Sequence, residues 1–468
     1  MRRLSILLLA IVLCGASSCT NKPKPSGPAL VYVLRVSYPE LLIRLSDHST
    51  DSAFRRAVHI AAIASDTGSR TDFLTVFAQA YHEVAPSRHL ASVFAYVPRY
   101  QRLISGQSTD DEIMAVLRQS FAQSLDQSTE ILRKRFEVKI PPITWRDIVK
   151  LHIPKNQTPY VGEVTTRLLK SQGVIEVSVT GADDPDRIRK MMLARGDLGL
   201  WDTYENEEIY PMLMKVDQAL ATVMGPSKVK TAKQKQSETK EFFKDAVVMD
   251  KNDTTSAPPA TQEPEENVTN SNPLFMLLNP MANGQGQLMP GPAIGMAFGK
   301  DTATVDLYIS LMQRLLPNDL RLMWSLRPLG EKDVYELYAI RTRAGQDGAP
   351  ISGGMITDAR QGYDYSGQPD VTVTMSRYAS AHWEAMTDAA AHGSVNGREA
   401  HRCIAITLDD RVVSVPRVMN KIAGGNTEIS GIATVNEAID LADILRNGPL
   451  PAPMVLVEER IDSKKMDQ

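Results

Sequence analysis

Thr434-Val435-Asn436-Glu437-Ala438-Ile439-Asp440-Leu441-Ala442-Asp443-Ile444-Leu445-Arg446-Asn447-Gly448-Pro449 reads as one complete helix with both of its ends written into it. Thr434 and Glu437 have the spacing of a capping box, in which each side chain takes up a main-chain N–H that the first turn leaves free. Val435, Ala438, Ile439, Ala442 and Leu445 recur at helical spacing and form one apolar stripe. Gly448-Pro449 stops the helix, since glycine tolerates the exit turn and proline cannot continue the ladder. Residues 454–458 then read as a closing strand.

Moving upstream, the pattern alternates between strands and helices. Ile404-Ala405-Ile406-Thr407-Leu408 and Arg411-Val412-Val413-Ser414-Val415 flank Asp409-Asp410, which has the length and chemistry of a hairpin turn. Val371-Thr372-Val373-Thr374-Met375 alternates as a strand, and Ser376 opens a helix on which Ala379, Trp383 and Met386 share a face. Earlier, Gly173-Val174-Ile175-Glu176-Val177-Ser178-Val179 puts Ile175, Val177 and Val179 on one face and Val174, Glu176 and Ser178 on the other. Asp184 suits an N-cap and Pro185 the first helical position, with Ile188, Met191 and Met192 as the apolar face. Residues 198–203 read as another short strand. Val31-Tyr32-Val33-Leu34-Arg35-Val36 is β-rich, and residues 40–135 are mostly helical, with Phe54, Val58, Ile63, Phe73, Val76 and Phe77 as core-facing positions. Strands and helices mixed in this way point to an α+β chain.

Among 468 residues, 52 Lys and Arg stand against 55 Asp and Glu, giving a net charge of −3. No positive excess is available to neutralise phosphates, which argues against a nucleic-acid partner. Of the cysteines, Cys14 and Cys19 lie in the leader and only Cys403 in the body, so no disulfide framework is expected within the mature chain. Arg2 and Arg3, the apolar run 4–13 and the small residues Gly15, Ala16, Ser17 and Ser18 before Cys19 form a secretory signal. That run spans roughly 15 Å as a helix, about half of a bilayer core. Ala16-Ser17-Ser18-Cys19 resembles a bacterial lipobox, which makes Cys19 the expected lipidation site. Pro23, Pro25 and Pro28 mark a tether over residues 20–29. Residues 227–271 pass from a lysine-rich stretch into Thr, Ser, Pro and Asn, a composition expected of a disordered linker.

No catalytic constellation emerges. His382 and His392, and His82 and His89, lack metal-ligand spacing, and Cys403 has only His401 near it in sequence. Gly-x-Ser-x-Gly and Gly-x-x-x-x-Gly-Lys patterns are absent from the sequence. Gly353-Gly354 and Gly424-Gly425 read as turns with positive φ, and Cys403 as a buried, inert thiol. No enzyme activity, metal or cofactor is expected.

The C-terminal wording resembles the SecD protein-export family, including the fused SecDF forms. It is carried by Ile429-Ser430-Gly431, the helix from Thr434 to its Leu445-Arg446-Asn447-Gly448 end, Leu450-Pro451-Ala452-Pro453 and Val457-Glu458-Glu459-Arg460. Ile356-Thr357-Asp358-Ala359-Arg360, Ala405-Ile406-Thr407-Leu408-Asp409 and Val413-Ser414-Val415-Pro416 fall in the same order. The resemblance implies a ferredoxin-like base domain with a helical insertion over residues 30–226. After the linker it implies an α+β head domain with the closing strand over residues 272–460, then a tail, 461–468, with residues 1–19 as signal peptide. Relatives continue past this point into a membrane-helix bundle, so no proton-driven motor is expected of this chain alone. With its lipobox-like leader the chain is expected, unlike the family, to be a lipid-anchored protein on the periplasmic face of a bacterial membrane. It would assist export by binding translocating or non-native secretory polypeptide. Its further partners would be the Sec translocon or a membrane-embedded SecD/SecF-type subunit. An exposed strand edge would pair with client main chain, and Val371, Thr372, Val373, Thr374 and Met375 are the candidate edge. The alternative is a structural envelope lipoprotein that docks on the translocon or another membrane complex.

Overall fold

A computed structural model describes residues 29–66, 72–136, 163–180, 184–224, 272–330, 332–343 and 348–462. The expected signal peptide with Cys19, the expected tether up to residue 28, the expected linker at 227–271 and the last residues of the expected tail lie outside the described residues. In chain order the first elements are β1 (Ala29–Val36), α1 (Tyr38–Leu45), α2 (Ser52–Asp66), α3 (Phe73–Val84), α4 (Ala91–Phe94) and α5 (Asp110–Arg135). Then come β2 (Glu163–Leu169), β3 (Val174–Thr180), α6 (Pro185–Leu193), β4 (Leu198–Thr203) and α7 (Asn206–Met224). After the expected linker follow β5 (Asn279–Pro280), β6 (Ala293–Phe298), α8 (Thr302–Leu311), β7 (Leu320–Trp324), β8 (Val334–Arg341) and β9 (Ile351–Ser352). The next are β10 (Ile356–Tyr363), β11 (Pro369–Met375), α9 (Arg377–Ala391), β12 (Ser394–Val395) and β13 (Arg398–Glu399). The last are β14 (Ile404–Leu408), β15 (Arg411–Ser414), β16 (Asn426–Ile429), α10 (Val435–Asn447) and β17 (Met454–Asp462). No helix among the described residues is long and apolar enough to cross a membrane.

The chain divides into two units, one of residues 1–37, 121–193 and 451–468, the other of residues 38–120 and 194–450. The first holds an antiparallel sheet in the order β17-β1-β3-β2. With α5 after β1 and α6 after β3, the chain runs β-α-β-β-α-β, the ferredoxin-like arrangement. Ile175, Val177 and Val179 are fully buried, as their alternation predicts, and face Leu34, Tyr32 and Leu30 in register. Asp184 caps α6 by accepting the Arg187 N–H at 3.0 Å, and Ile188, Met191 and Met192 are buried. Burial, together with the carboxylate of Glu459, pushes the Tyr32 phenol up to about 12.

In the second unit α1 to α4 pack around Phe54, Phe77 and Phe94, whose rings meet edge-on at 5.7 and 5.9 Å. Ile63, expected in that core, is instead 57% exposed. It lies nine residues after Phe54, half a turn out of phase on a helix, whereas Ala57, Val58 and Ala61 complete the buried stripe. The large antiparallel sheet has eight strands in the order β15-β14-β4-β8-β6-β5, with β7 on β8 and β9 on β4. The strand at 198–203 therefore pairs with β14, and the base expected over 30–226 does not hold together as one unit. Apolar alternation defines a strand but not the sheet it joins, and β14 lies about 200 residues further along.

The second sheet, β10-β11-β16, packs with α9 and α10 on a core that includes Val371, Val373, Trp383, Met386 and Leu445. Ser376 and Thr434 cap the two helices by accepting the N–H of Ala379 and Glu437. On α10 the buried face is Ala438, Leu441, Ala442, Ile444 and Leu445, while Val435 and Ile439 are half-buried. Asp409 and Asp410 form the two-residue hairpin turn, with φ of 53° and 66°. The Asp409 carboxylate also accepts the N–H groups of Arg195 and Asp197, each at 2.9 Å. Gly424 and Gly425 have positive φ, as expected. Gly353 does not, and its constraint is space, since a Cβ there would stand 3.0 Å from the Gly196 carbonyl.

Candidate polypeptide-binding edge of the head

Residues 371–375 are not an edge. β11 is the middle strand of its sheet, pairing with β10 on one side and β16 on the other. Val371, Thr372, Val373 and Thr374 each have a partner on both sides: Gln361 and Ile429, Arg360 and Glu428, Ala359 and Thr427, Asp358 and Asn426. Met375 pairs with Ile356 and donates its N–H to the Gly425 carbonyl at 2.8 Å. Their main-chain groups are therefore committed, and Val371, Val373 and Met375 are buried in the core. A strand of alternating Val and Thr needs one covered face, and it has one here, but alternation is the same for central and outer strands.

The sheet ends instead at β10 and β16, and β10 is the longer at eight residues. β10 begins with Ile356-Thr357-Asp358-Ala359-Arg360, one of the stretches that carried the sequence resemblance. At Ala359 both main-chain groups take side-chain partners. Its N–H donates to Asp358 Oδ1 at 3.0 Å, and its carbonyl accepts Arg446 Nη2 at 2.6 Å. The N–H and C=O of one strand residue point to the same side, so these contacts mark the side of β10 turned away from β11. Alternation turns Gln361 the same way.

The groups covering Ala359 hold one another. Arg446 Nη1 pairs with Asp443 at 2.7 Å, and Arg446 Nε lies 3.4 Å from Asp358. Arg360 Nε donates to Asp358 Oδ2 at 2.7 Å. Burial alone would raise the Asp358 carboxyl, but the hydrogen bonds from Arg360 and Ala359 and the charges of Arg360 and Arg446 hold it below the usual range. Beyond Gln361 the strand ends in a turn with Tyr363 59% exposed and Tyr365 fully exposed. Asp364 Oδ1 fixes that turn by accepting the N–H groups of Ser366 and Gln368, each at 2.8 Å.

A small cavity of about 250 Å³ lies in the same unit, bounded by Leu326, Pro328, Leu329, Val412, Val413 and Tyr338. The Tyr338 hydroxyl donates to Glu336 at 2.7 Å, and burial together with that carboxylate pushes its pKa far up. Cys403 is buried, which pushes its thiol up to about 11, far from a reactive thiolate. Among the described residues no group of three or more His, Cys, Asp or Glu is placed to hold a metal.

Residues 340–452 match the family model described as SecDF, P1 head subdomain. The chain is 26% identical over 429 residues to the protein translocase subunit SecD of Rhodothermus marinus, an alignment covering 90% of this chain and 59% of that protein. It is 34% identical over 147 residues to SecD of Magnetococcus marinus, covering 31% of this chain and 25% of that one. A crystal structure of SecDF in a super-membrane-facing form superposes with a TM-score of 0.35 at 14% identity, over 98% of this chain and 34% of that one. The chain thus spans about three-fifths of the length of the Rhodothermus relative, and 59% is the share aligned. Residues 340–452 are thus similar to the SecDF P1 head subdomain, within a chain that resembles SecD along most of its length.

Proposed function

We propose that this chain serves protein export as a SecD-like accessory factor whose head binds translocating or non-native polypeptide along the outer edge of β10. Cys19 holds it by lipid to the periplasmic face of a membrane, within reach of the Sec translocon. The observation that carries this reading is that the residues matching the P1 head subdomain include a sheet whose outer strand β10 pairs on one side only among the described residues. An outer strand offers main-chain N–H and C=O groups to any extended chain, whatever its sequence, which suits a binder of many clients. The Asp358 and Arg446 side chains cover Ala359 when no client is bound, as charged groups commonly do at sheet edges. A client then displaces Arg446 from the carbonyl, and binding is weak and reversible.

The full chain, titrated with a labelled secretory protein in unfolded and folded forms, tests this. Binding of the unfolded form alone is expected. Gln361→Pro, which removes one outward N–H, should weaken it about fivefold, the scale of one net hydrogen bond. Equal binding of both forms, or binding of neither, rejects the reading.

A further inference from the structure

The segment between α4 and α5 carries a surface that polypeptide binding does not use. From residue 84 to residue 109 the sequence holds no Asp or Glu, while Arg88, Arg99 and Arg102 are basic. Arg88 is taken by Asp51 at 2.7 Å, but Arg99 and Arg102 stand exposed. Tyr96 is 82% and Leu103 64% exposed beside them. The fold sets this outward display firmly. Val97, Tyr100 and Ile104 are buried, and the Tyr100 hydroxyl donates to Ser120 Oγ on α5 at 3.2 Å. Tyr100 N–H bonds to the Val97 carbonyl, Gln101 to Pro98 and Leu103 to Tyr100, the i to i+3 pattern of a 3₁₀ turn. Residues three apart eclipse in such a turn, which lines up Arg99 and Arg102.

Three of the acidic groups on neighbouring elements are engaged elsewhere. Asp110 accepts the Leu90 N–H at 2.9 Å, Glu112 accepts the Thr109 N–H at 3.0 Å, and Asp72 lies 3.8 Å from Arg118. Arg99 and Arg102 thus stand exposed in a short segment that also exposes a tyrosine ring and a leucine. That combination fits the interface of an anionic bilayer, where the ring sits at headgroup level, leucine reaches the acyl boundary and guanidinium groups meet phosphates.

We propose that residues 96–103 form a docking loop for anionic lipid. Each arginine near such a surface is worth roughly fivefold in partition. One loop alone binds weakly and reversibly. The proposal is independent of where polypeptide binds.

The test uses the full chain with vesicles of phosphatidylcholine, with and without phosphatidylglycerol. Guanidinium-directed labelling read by mass spectrometry reports on the loop itself. Phosphatidylglycerol should protect Arg99 and Arg102 severalfold while leaving the exposed Arg360 unchanged. In cosedimentation of the chain carrying Cys19→Ala, Arg99→Gln with Arg102→Gln should lower partition roughly 20-fold. Lys190→Gln with Lys215→Gln, the same charge loss elsewhere on the surface, should change it little. Equal labelling of Arg99 and Arg102 with both vesicle types overturns the proposal, as does an equal effect of the two paired substitutions. Protection by soluble polyglutamate but not by vesicles also overturns it, and assigns the surface to an acidic protein.

Discussion

Asp370, the second residue of β11, is only 2% exposed, and its Oδ1 has no hydrogen-bond partner. Burial raises its pKa, and the nearby Glu428 and Asp364 carboxylates add to the rise. For an acid whose pKa is raised by folding, the ionised form is the costly one. That cost is full above the folded pKa and gone below the ordinary carboxylate range near pH 4. Asp370→Asn should therefore stabilise the chain at pH 7 by about 1 kcal/mol, with its new amide able to donate toward Glu428 or Asp364. Thermal melts of the two proteins should converge as the pH falls to about 3.5, and a gain that persists there would contradict this assignment. Such a site is not legible in sequence, because an aspartate near the start of a strand looks solvated until its neighbours are placed. The capping box at Thr434 and Glu437 shows the same limit. Glu437 N–H does bond Thr434 Oγ1 at 3.2 Å, but the Glu437 carboxylate pairs with Arg327 at 2.9 Å. The reciprocal box occurs at Thr109 and Glu112, with contacts of 3.0 and 3.3 Å. Spacing alone identifies the cap, and a distant arginine decides how the glutamate is used.

At the scale of elements, strands and helices were largely legible from period and caps. β3, α6, β11, α9, β14 with its Asp-Asp turn, and α10 all form where their residues predicted. Lateral order in a sheet was not, because it is set by strands far away in sequence. β11 pairs with β16, Thr372 with Glu428 being 56 residues apart, and nothing within residues 371–375 encodes this. Two proline substitutions separate the arrangements. Thr372 pairs with both Arg360 and Glu428, so Thr372→Pro breaks a central ladder and should cost about 3 kcal/mol or more. Gln361→Pro removes an N–H on the outer side of β10 and should leave the melting temperature nearly unchanged. Comparable losses in the two variants, measured by denaturant unfolding, would contradict the observed strand order.

For the molecule as a whole, the ferredoxin-like order of the first unit was expected from the resemblance, but its β2 was not read from the residues, and neither was the division of the chain. Residues 38–120 and 194–224 associate with the second unit, although chain order alone groups them with the base. The leader still bears on where the molecule works. Cys19→Ala should move the chain from the membrane fraction to the aqueous fraction of the periplasm in cell fractionation, and unchanged membrane association together with an N-terminus free of lipid mass would count against lipidation. The central claim, that the outer edge of β10 meets exported polypeptide, is tested most directly in living cells. A photo-crosslinking amino acid replaces Tyr363 at the exposed end of β10 or, as a control, Tyr308 on α8, while a secretory protein is stalled during export. The account predicts adducts between position 363 and the stalled chain that disappear when export is blocked beforehand, with none from position 308. Adducts of equal yield from both positions, or none from position 363 while the stalled chain is present, would contradict it.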